Sequence, residues 1–257
     1  MLIQVHVERN STVHAPKISK NLSVKLAQTD TEIEEAQRLR HTVFSGEYGA
    51  IFSCQSTDID EDKYDRWCDH LIVRDHTTNR VVGTYRVLRP EQAIHAGGYY
   101  SESEFDLTDL NPIRDQIVEF GRACIDSAYR NGPTLMMLWS GLSEIIRSKN
   151  YQYVLGCASV SLRDDGVTAS EVWRSVRDTL TIDQQWSVTP HYPYPVEQVN
   201  PELPAKIPPL IEGYLKLGVK VCGNPAWDPD FNTADFPMLL NVKQMNARYK
   251  KRLGFEP

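Results

Sequence analysis

QIVEFGRACI (116–125), PTLMMLWSGLSEIIRSKN (133–150) and YQYVLGCASV (151–160) are the stretch on which the fold turns. The first is β-rich and almost wholly apolar. The second opens on proline and places Leu135, Leu138, Leu142, Ile145 and Ile146 on one helical face. The third is a short apolar run of the kind that forms a buried strand. Towards the N-terminus, NLSVKLAQ (21–28) alternates as a strand does. TDTEIEEAQRLRHTVF (29–44) then starts with a capping-box pattern and spaces Ile33, Ala36, Leu39 and Val43 helically. DHLIVRDHTTNRVVGTYRVL (69–88) reads as a hairpin about Thr77, Thr78 and Asn79. Towards the C-terminus come a helix in TASEVWRSVRDTL (168–180), a Pro-rich connection from Pro190 to Pro209, a short helix in PLIEGYLKLG (209–218), and strand-like KVCG and FPMLLNV. This order predicts an α/β fold whose mixed, mostly antiparallel central sheet is flanked by helices. Residues 1–20 read as an extension, 21–245 as the domain, and 246–257 as a basic tail.

Composition narrows the classes. The 257 residues are 41% hydrophobic and 24% charged, ordinary for a globular chain. No run reaches the ~20 apolar residues of a membrane span, and the first twenty residues lack a signal-peptide pattern. Cytoplasmic residence is expected, with peripheral contact at the inner membrane left open. A net charge of −6 argues against a nucleic-acid footprint. The five cysteines form no CxxC pair, which fits free thiols. Charge is uneven: DIDEDKYD (58–65) is acidic, whereas KQMNARYKKRLG (243–254) carries basic residues and no acid. Such a tail is either a solvated helix or a docking surface for something anionic, a carrier protein or a headgroup layer.

The chemistry centres on Glu119-Phe120-Gly121-Arg122. Two charges inside an apolar strand are costly unless partnered. Either the strand is an edge with one wet face, or the charges serve a site. Residues three apart point to opposite faces of a regular strand, and a bulge at Gly121 would turn both to one cleft. Arg40 lies close to the buried stripe of its helix and likewise needs a partner. Two weaker signals compete. Cys157 with His191 or His70 would be a nucleophile pair, although a buried structural cysteine fits its apolar context better. Cys68 and His70 offer only two metal ligands, so no metal is expected.

The blocks LRHTVF, DKYDRWCDHLIV, GTYRVL, VEFGRACIDSAYRNGPTLMMLWSGL, LGCASV and PPLIEGYLKLGVKVCGNPAWDPDFNTADFPMLL resemble the ornithine-lipid N-acyltransferases, over about residues 25–245. More distantly the chain resembles acyl-homoserine-lactone synthases and N-acyl amino-acid synthases. The resemblance implies a GNAT fold and transfer of a (3-hydroxy)acyl chain from the phosphopantetheine thioester of acyl carrier protein to the α-amine of ornithine, with no tightly bound cofactor. It implies site positions at Arg40, Phe44, Asp62, Asp65, Arg86, Glu119 and Arg122. Against acetyl-CoA-dependent relatives, Tyr129-Arg130-Asn131-Gly132-Pro133-Thr134 lacks a second glycine and one N–H, so a full pyrophosphate cradle is not expected.

Roles follow from chemistry. An α-amine of pKa about 7.7–8.0 must lose a proton before it attacks, and Glu119 is the expected base. Arg122 or Arg86 would clamp the acceptor carboxylate, and Asp62 and Asp65 its ammonium. Phe120, Leu138, Trp139 and Leu142 are expected to line an acyl tunnel. Arg130, Lys250, Lys251 and Arg252 are expected to meet the carrier. Within the class, glycine or tyrosine are alternative acceptors, as is the substrate of an autoinducer synthase. Outside it stand a cysteine-dependent acyl hydrolase and a catalytically dead carrier-binding module.

Overall fold

The computed structural model describes residues 21–48, 58–130, 132–177, 186–198 and 206–255. The expected extension at 1–20 lies outside them. In chain order the elements are β1 (Leu22–Leu26), α1 (Asp30–Tyr48), β2 (Asp69–Asp75), β3 (Arg80–Leu88), α2 (Pro90–Ala96), β4 (Phe105–Asp106), β5 (Ile117–Ile125), α3 (Pro133–Lys149), β6 (Tyr153–Ser161), α4 (Val167–Val176), β7 (Thr189–Pro190), α5 (Pro209–Leu217), β8 (Lys220–Val221), β9 (Ala226–Asp228), β10 (Thr233–Asn241) and α6 (Ala247–Arg252). The principal sheet runs β1-β2-β3-β5-β6-β10-β8, with β9 also on β10. Its pairs are antiparallel except β5–β6, so the mixed, mostly antiparallel sheet read from the sequence is present. β5 lies between β3 and β6, which removes the edge-strand reading of EFGR.

The parallel pair is short. Ile117–Glu119 pair with Tyr153–Leu155, and beyond that point β5 and β6 run on without pairing each other. The sheet is split at its middle.

Alternation gives the sheet two unlike faces. Gly83, Tyr85, Phe120 and Met238 look towards α3 and α5. A methyl group on Gly83 would sit 3.0 Å from Thr134 Cγ2, so its lack of a side chain lets α3 approach β3. Tyr85 and Tyr214 join β3 to α5 by a 2.6 Å hydroxyl bond. His70, Thr84, Arg86 and Glu119 occupy the other face, which α1 partly covers. Here a second core forms around Leu88, Tyr99, Phe105, Leu110, Leu155 and Leu239. It is built from α2, β4 and the 3-10 segments Tyr100–Ser103 and Thr108–Gln116, none of which the sequence pattern anticipated. The stretch read as a basic tail folds back as α6. The Asn246 N–H donates to Leu217 O at 2.9 Å, and Leu253 is buried in the main core.

Candidate active site

Glu119 lies on β5 where the parallel pairing ends, and it is almost fully buried. Its carboxylate accepts from the backbone N–H groups of Tyr100 (2.7 Å) and Ser101 (2.8 Å) and from the Ser101 hydroxyl. Burial pushes the Glu119 pKa above the ordinary carboxylate value, while these hydrogen bonds pull it back down. A small crevice lined by Arg86, Leu88, Tyr100, Glu119, Phe120 and Cys157 opens beside it.

Arg122 has φ 47°, a left-handed conformation that is rare for a long side chain. The register explains it: Thr84 and Arg86 on β3 face Cys124 and Gly121 on β5, so β5 carries one extra residue. The bulge expected at Gly121 is thus centred one residue on. It turns Arg122 onto the Glu119 face, where its guanidinium stacks 4.9 Å from the Tyr100 ring centroid. Arg86 approaches the same ring at 5.4 Å.

Three arginines and three aspartates assemble here. Arg40, wholly buried on α1, donates to Asp60 Oδ2 (2.8 Å), Asp65 Oδ1 (2.7 Å) and the Asp60 carbonyl. Arg86 pairs with Asp62 (2.7 Å) and Asp65 (3.1 Å), and Arg122 with Asp60 (3.2 Å) and Asp62 (3.2 Å). Asp65 has both oxygens engaged, its Oδ2 also accepting from Asp62 N–H. Burial opposes ionisation of Asp60 and Asp65, yet the arginines hold both below the usual aspartate pKa. Asp62 is the exposed member, its side chain 22% accessible. Arg122 Nη1 is buried without a hydrogen-bond partner. Phe44 sits behind this set, edge-on to Phe231, which in turn lies under the Arg122 guanidinium.

On the opposite face an apolar cavity is lined by Phe120, Trp139, Leu142, Tyr214, Met238 and Leu253, among others. Three of the four expected tunnel residues are there. Leu138 is not: it packs over Gly83 in the core, so its assignment to the tunnel is corrected. Phe120 borders both the cavity and the Glu119 crevice, at the split between β5 and β6.

The cysteine alternative finds no support. Burial pushes the Cys157 thiol well above its ordinary pKa, and Sγ contacts the Ser101 hydroxyl at 3.5 Å. His70 Nε2 is bonded to the Asp65 carbonyl, and His191 Nε2 to that of Glu102. Arg130 is paired with Glu47 and donates to the Ile125 carbonyl, so it is partly engaged. Lys251 and Arg252 are exposed on α6, and Lys250 donates to the Lys243 carbonyl.

Sequence reasoning missed Asp60, Tyr100, Ser101, Glu104, Asp228 and Asp235. Asp235 carried the same signal as Glu119, an acid within the apolar strand FNTADFPMLL.

The acetyltransferase (GNAT) domain family matches residues 39–140. The chain is 31% identical to an L-ornithine N(alpha)-acyltransferase of Brucella abortus (strain 2308), over 92% of this chain and 90% of the relative. It is also 31% identical to the enzyme of the same name from Rhizobium meliloti (strain 1021), over 91% and 84%. Among solved structures, the CoA-dependent acyl-homoserine lactone synthase BjaI with SAM and isopentyl-CoA superposes with a TM-score of 0.54 at 14% identity, covering 91% of this chain and 89% of that one. The acyl-homoserine lactone synthase LasI gives 0.50 at 13%, covering 90% and 94%. These two likenesses show the fold, and the family match over residues 39–140 gives its GNAT type. Among the described residues no helix is long and apolar enough to cross a membrane.

Proposed function

We propose, from the premise that this chain belongs to the L-ornithine N(alpha)-acyltransferase family, that it transfers an acyl chain from a thioester onto the α-amine of ornithine. The observation that carries this reading is the junction at Phe120. An apolar cavity on one face of the sheet and a buried carboxylate on the other meet where β5 and β6 part.

The acyl chain lies in the cavity bordered by Phe120, Trp139 and Leu142, with its thioester carbonyl at the split. Ornithine enters on the Glu119 face. Glu119 accepts a proton from the α-ammonium, whose reference pKa of about 7.7–8.0 leaves it largely protonated at neutral pH. A raised carboxyl pKa makes this transfer easier than it would be for an ordinary glutamate. The freed lone pair attacks the carbonyl carbon, forming C–N. Backbone N–H groups of β5 beyond Glu119 that face β6 lack a ladder partner and are available to the oxyanion. Collapse breaks C–S, and the departing thiolate takes up the second proton shed by the nitrogen as the amide forms; no protein nucleophile is needed, because a thiol of pKa about 8.5 leaves readily. The unengaged Nη1 of Arg122 is the donor for the acceptor carboxylate. The donor thioester is that of acyl carrier protein, and the basic face of α6 suits an acidic carrier.

Purified chain incubated with ornithine and either 3-hydroxyacyl carrier protein or the matching acyl-CoA should give N-acylornithine by mass spectrometry, faster with the carrier. Glu119→Gln should lower turnover roughly 10²- to 10⁴-fold with the fold retained. Near-wild-type turnover in that variant would remove Glu119 from the reaction, and faster transfer from acyl-CoA would remove the carrier.

A further inference from the structure

A second acidic group lies on the Glu119 face, beyond Cys157. Glu104, between the 3-10 turn Tyr100–Ser103 and β4, converges with Asp228 at the end of β9 and Asp235 on β10, their carboxylate oxygens within 4.8 Å of one another. Among the described residues no lysine, arginine or histidine forms an ion pair with any of the three. Arg122 is near enough to favour ionisation of Asp228, but its ion pairs are with Asp60 and Asp62.

These oxygens are also poorly hydrogen-bonded. Asp235 is completely buried. Its Oδ1 accepts from the Thr233 hydroxyl at 2.7 Å, while Oδ2 has no partner. Neither oxygen of Glu104 has a hydrogen-bond partner in good geometry, although the Tyr100 side chain lies close enough to favour its ionised form. An independent observation points the same way. Ser159, 1% exposed, stands directly opposite Asp235 in the β6–β10 register, hence on the same face, and its Oγ is buried without a partner. Three acids and a hydroxyl therefore converge with no ion-paired cation among the described residues, in surroundings where ionised carboxylates require one.

We propose that Glu104, Asp228 and Asp235 form the subsite that receives a primary ammonium at the far end of the acceptor's side chain. This rests on the reading of ornithine as acceptor and says what selects it. Position supports the assignment. Tyr100 and Ser101 donate to Glu119, Ser101 touches Cys157, and residue 104 follows in the same short segment. One face thus carries a base for the α-amine and an acidic cluster for the distal amine. The number of free acceptors favours an ammonium over a metal ion. Asp228 Oδ1 already accepts from the Asp230 and Phe231 N–H groups, and Asp235 Oδ1 is used by Thr233. What remains suits the three N–H donors of an ammonium better than the six or more oxygens wanted by calcium or magnesium.

The test compares ornithine with norvaline, the same amino acid without its distal amine, in the purified full-length enzyme. Wild type should prefer ornithine by about 10²-fold or more in kcat/KM, because a site built around a polar group rejects the analogue lacking it. Asp235→Asn and, separately, Asp228→Asn should cut that preference at least roughly tenfold, mainly through the KM for ornithine. Both variants should melt no lower than wild type, since each removes a charge without a counter-ion; Asp228→Asn, at the partly buried end of a short strand, serves if Asp235→Asn does not fold. Equal losses for ornithine and norvaline would overturn the subsite and leave the ornithine reading standing. Activity abolished by EDTA and restored by magnesium or calcium would make the cluster a metal site and overturn the ammonium. A wild type that acylates norvaline as well as ornithine would overturn the subsite. One that acylates neither would overturn the proposed function itself.

Discussion

The two acidic groups on the Glu119 face differ in one respect, and it decides what each can do. Asp60, Asp62 and Asp65 face Arg40, Arg86 and Arg122, so three negative charges meet three positive ones. Glu104, Asp228 and Asp235 meet no such partner among the described residues. The titration directions separate them too: the arginines hold Asp60 and Asp65 below the usual aspartate pKa, whereas burial and mutual repulsion push Glu104 and Asp228 up. A neutralised set is a scaffold, its charges balanced from within. An uncompensated set has a demand left over for a cation from outside.

The largest expected effect breaks the scaffold. Arg40→Met would leave Asp60 and Asp65 buried with half of their counter-charge removed, and loss of one partner from a buried pair typically costs about 3–5 kcal/mol. Urea denaturation at pH 7 should show a loss of that order. The sign of its pH dependence follows from the depressed aspartates. Their contribution is present above the unfolded aspartate pKa of about 3.9 and is lost as pH falls through the folded value. The gap between wild type and variant should therefore narrow in acid. A variant as stable as wild type at pH 7 would erase the distinction between the two groups.

Much of this architecture was legible in the sequence, and the part that was not has a common cause. Helical spacing and strand alternation located α1, α3, the β2–β3 hairpin, β5 and β6, because each buries one face or both against the core. The charges in EFGR announced a site because a charge in an apolar strand demands a partner. The same rule applied to Asp235 would have flagged β10. Glu104 and Asp228 could not be found this way. They lie in a 3-10 connection and a three-residue strand, where acids are ordinary; the β9–β10 hairpin brings Asp228 to Asp235, and only tertiary packing brings Glu104 there. Leu138 shows the opposite limit: spacing marks a helix face as buried but does not say whether a cavity or a strand lies beneath it.

An intermediate effect is expected from pH. Burial, then the neighbouring Asp235, raise the Asp228 pKa to about 6, and Glu104 is raised further from its ordinary value by the same two causes. Among the described residues, the groups facing them are Asp235 on β10, the Tyr100 phenol, the Cys157 thiol, and Arg122 at longer range from β5. Protons and ammonium compete for these carboxylates, so the KM for ornithine should fall as pH rises through about 6. Norvaline should lack that limb, which separates it from any effect of Glu119 shared by both acceptors. The stability sign is the reverse of that for Asp60 and Asp65. Raised carboxyls contribute stability below their unfolded pKa and lose it as pH rises through the folded one. Ornithine should consequently raise the melting temperature more at pH 8 than at pH 5.5, and an equal shift at both would remove the ionised cluster from recognition.

The smallest effect sharpens the comparison most directly. Sequence reasoning assigned the acceptor's ammonium to Asp62 and Asp65, and Asp62 is the one scaffold aspartate with appreciable exposure. It pairs with Arg86 and Arg122, however, and an aspartate already balanced by two guanidinium groups attracts a third cation weakly. Asp62→Asn should therefore change the ornithine-to-norvaline ratio by less than about threefold. Its effect should fall on both acceptors alike, through the position of Arg122 and its free Nη1 against the carboxylate they share. A selectivity loss in Asp62→Asn as large as that in Asp228→Asn would mean that the ammonium sits in the neutralised group after all. Charge balance would then not distinguish scaffold from receptor in this fold.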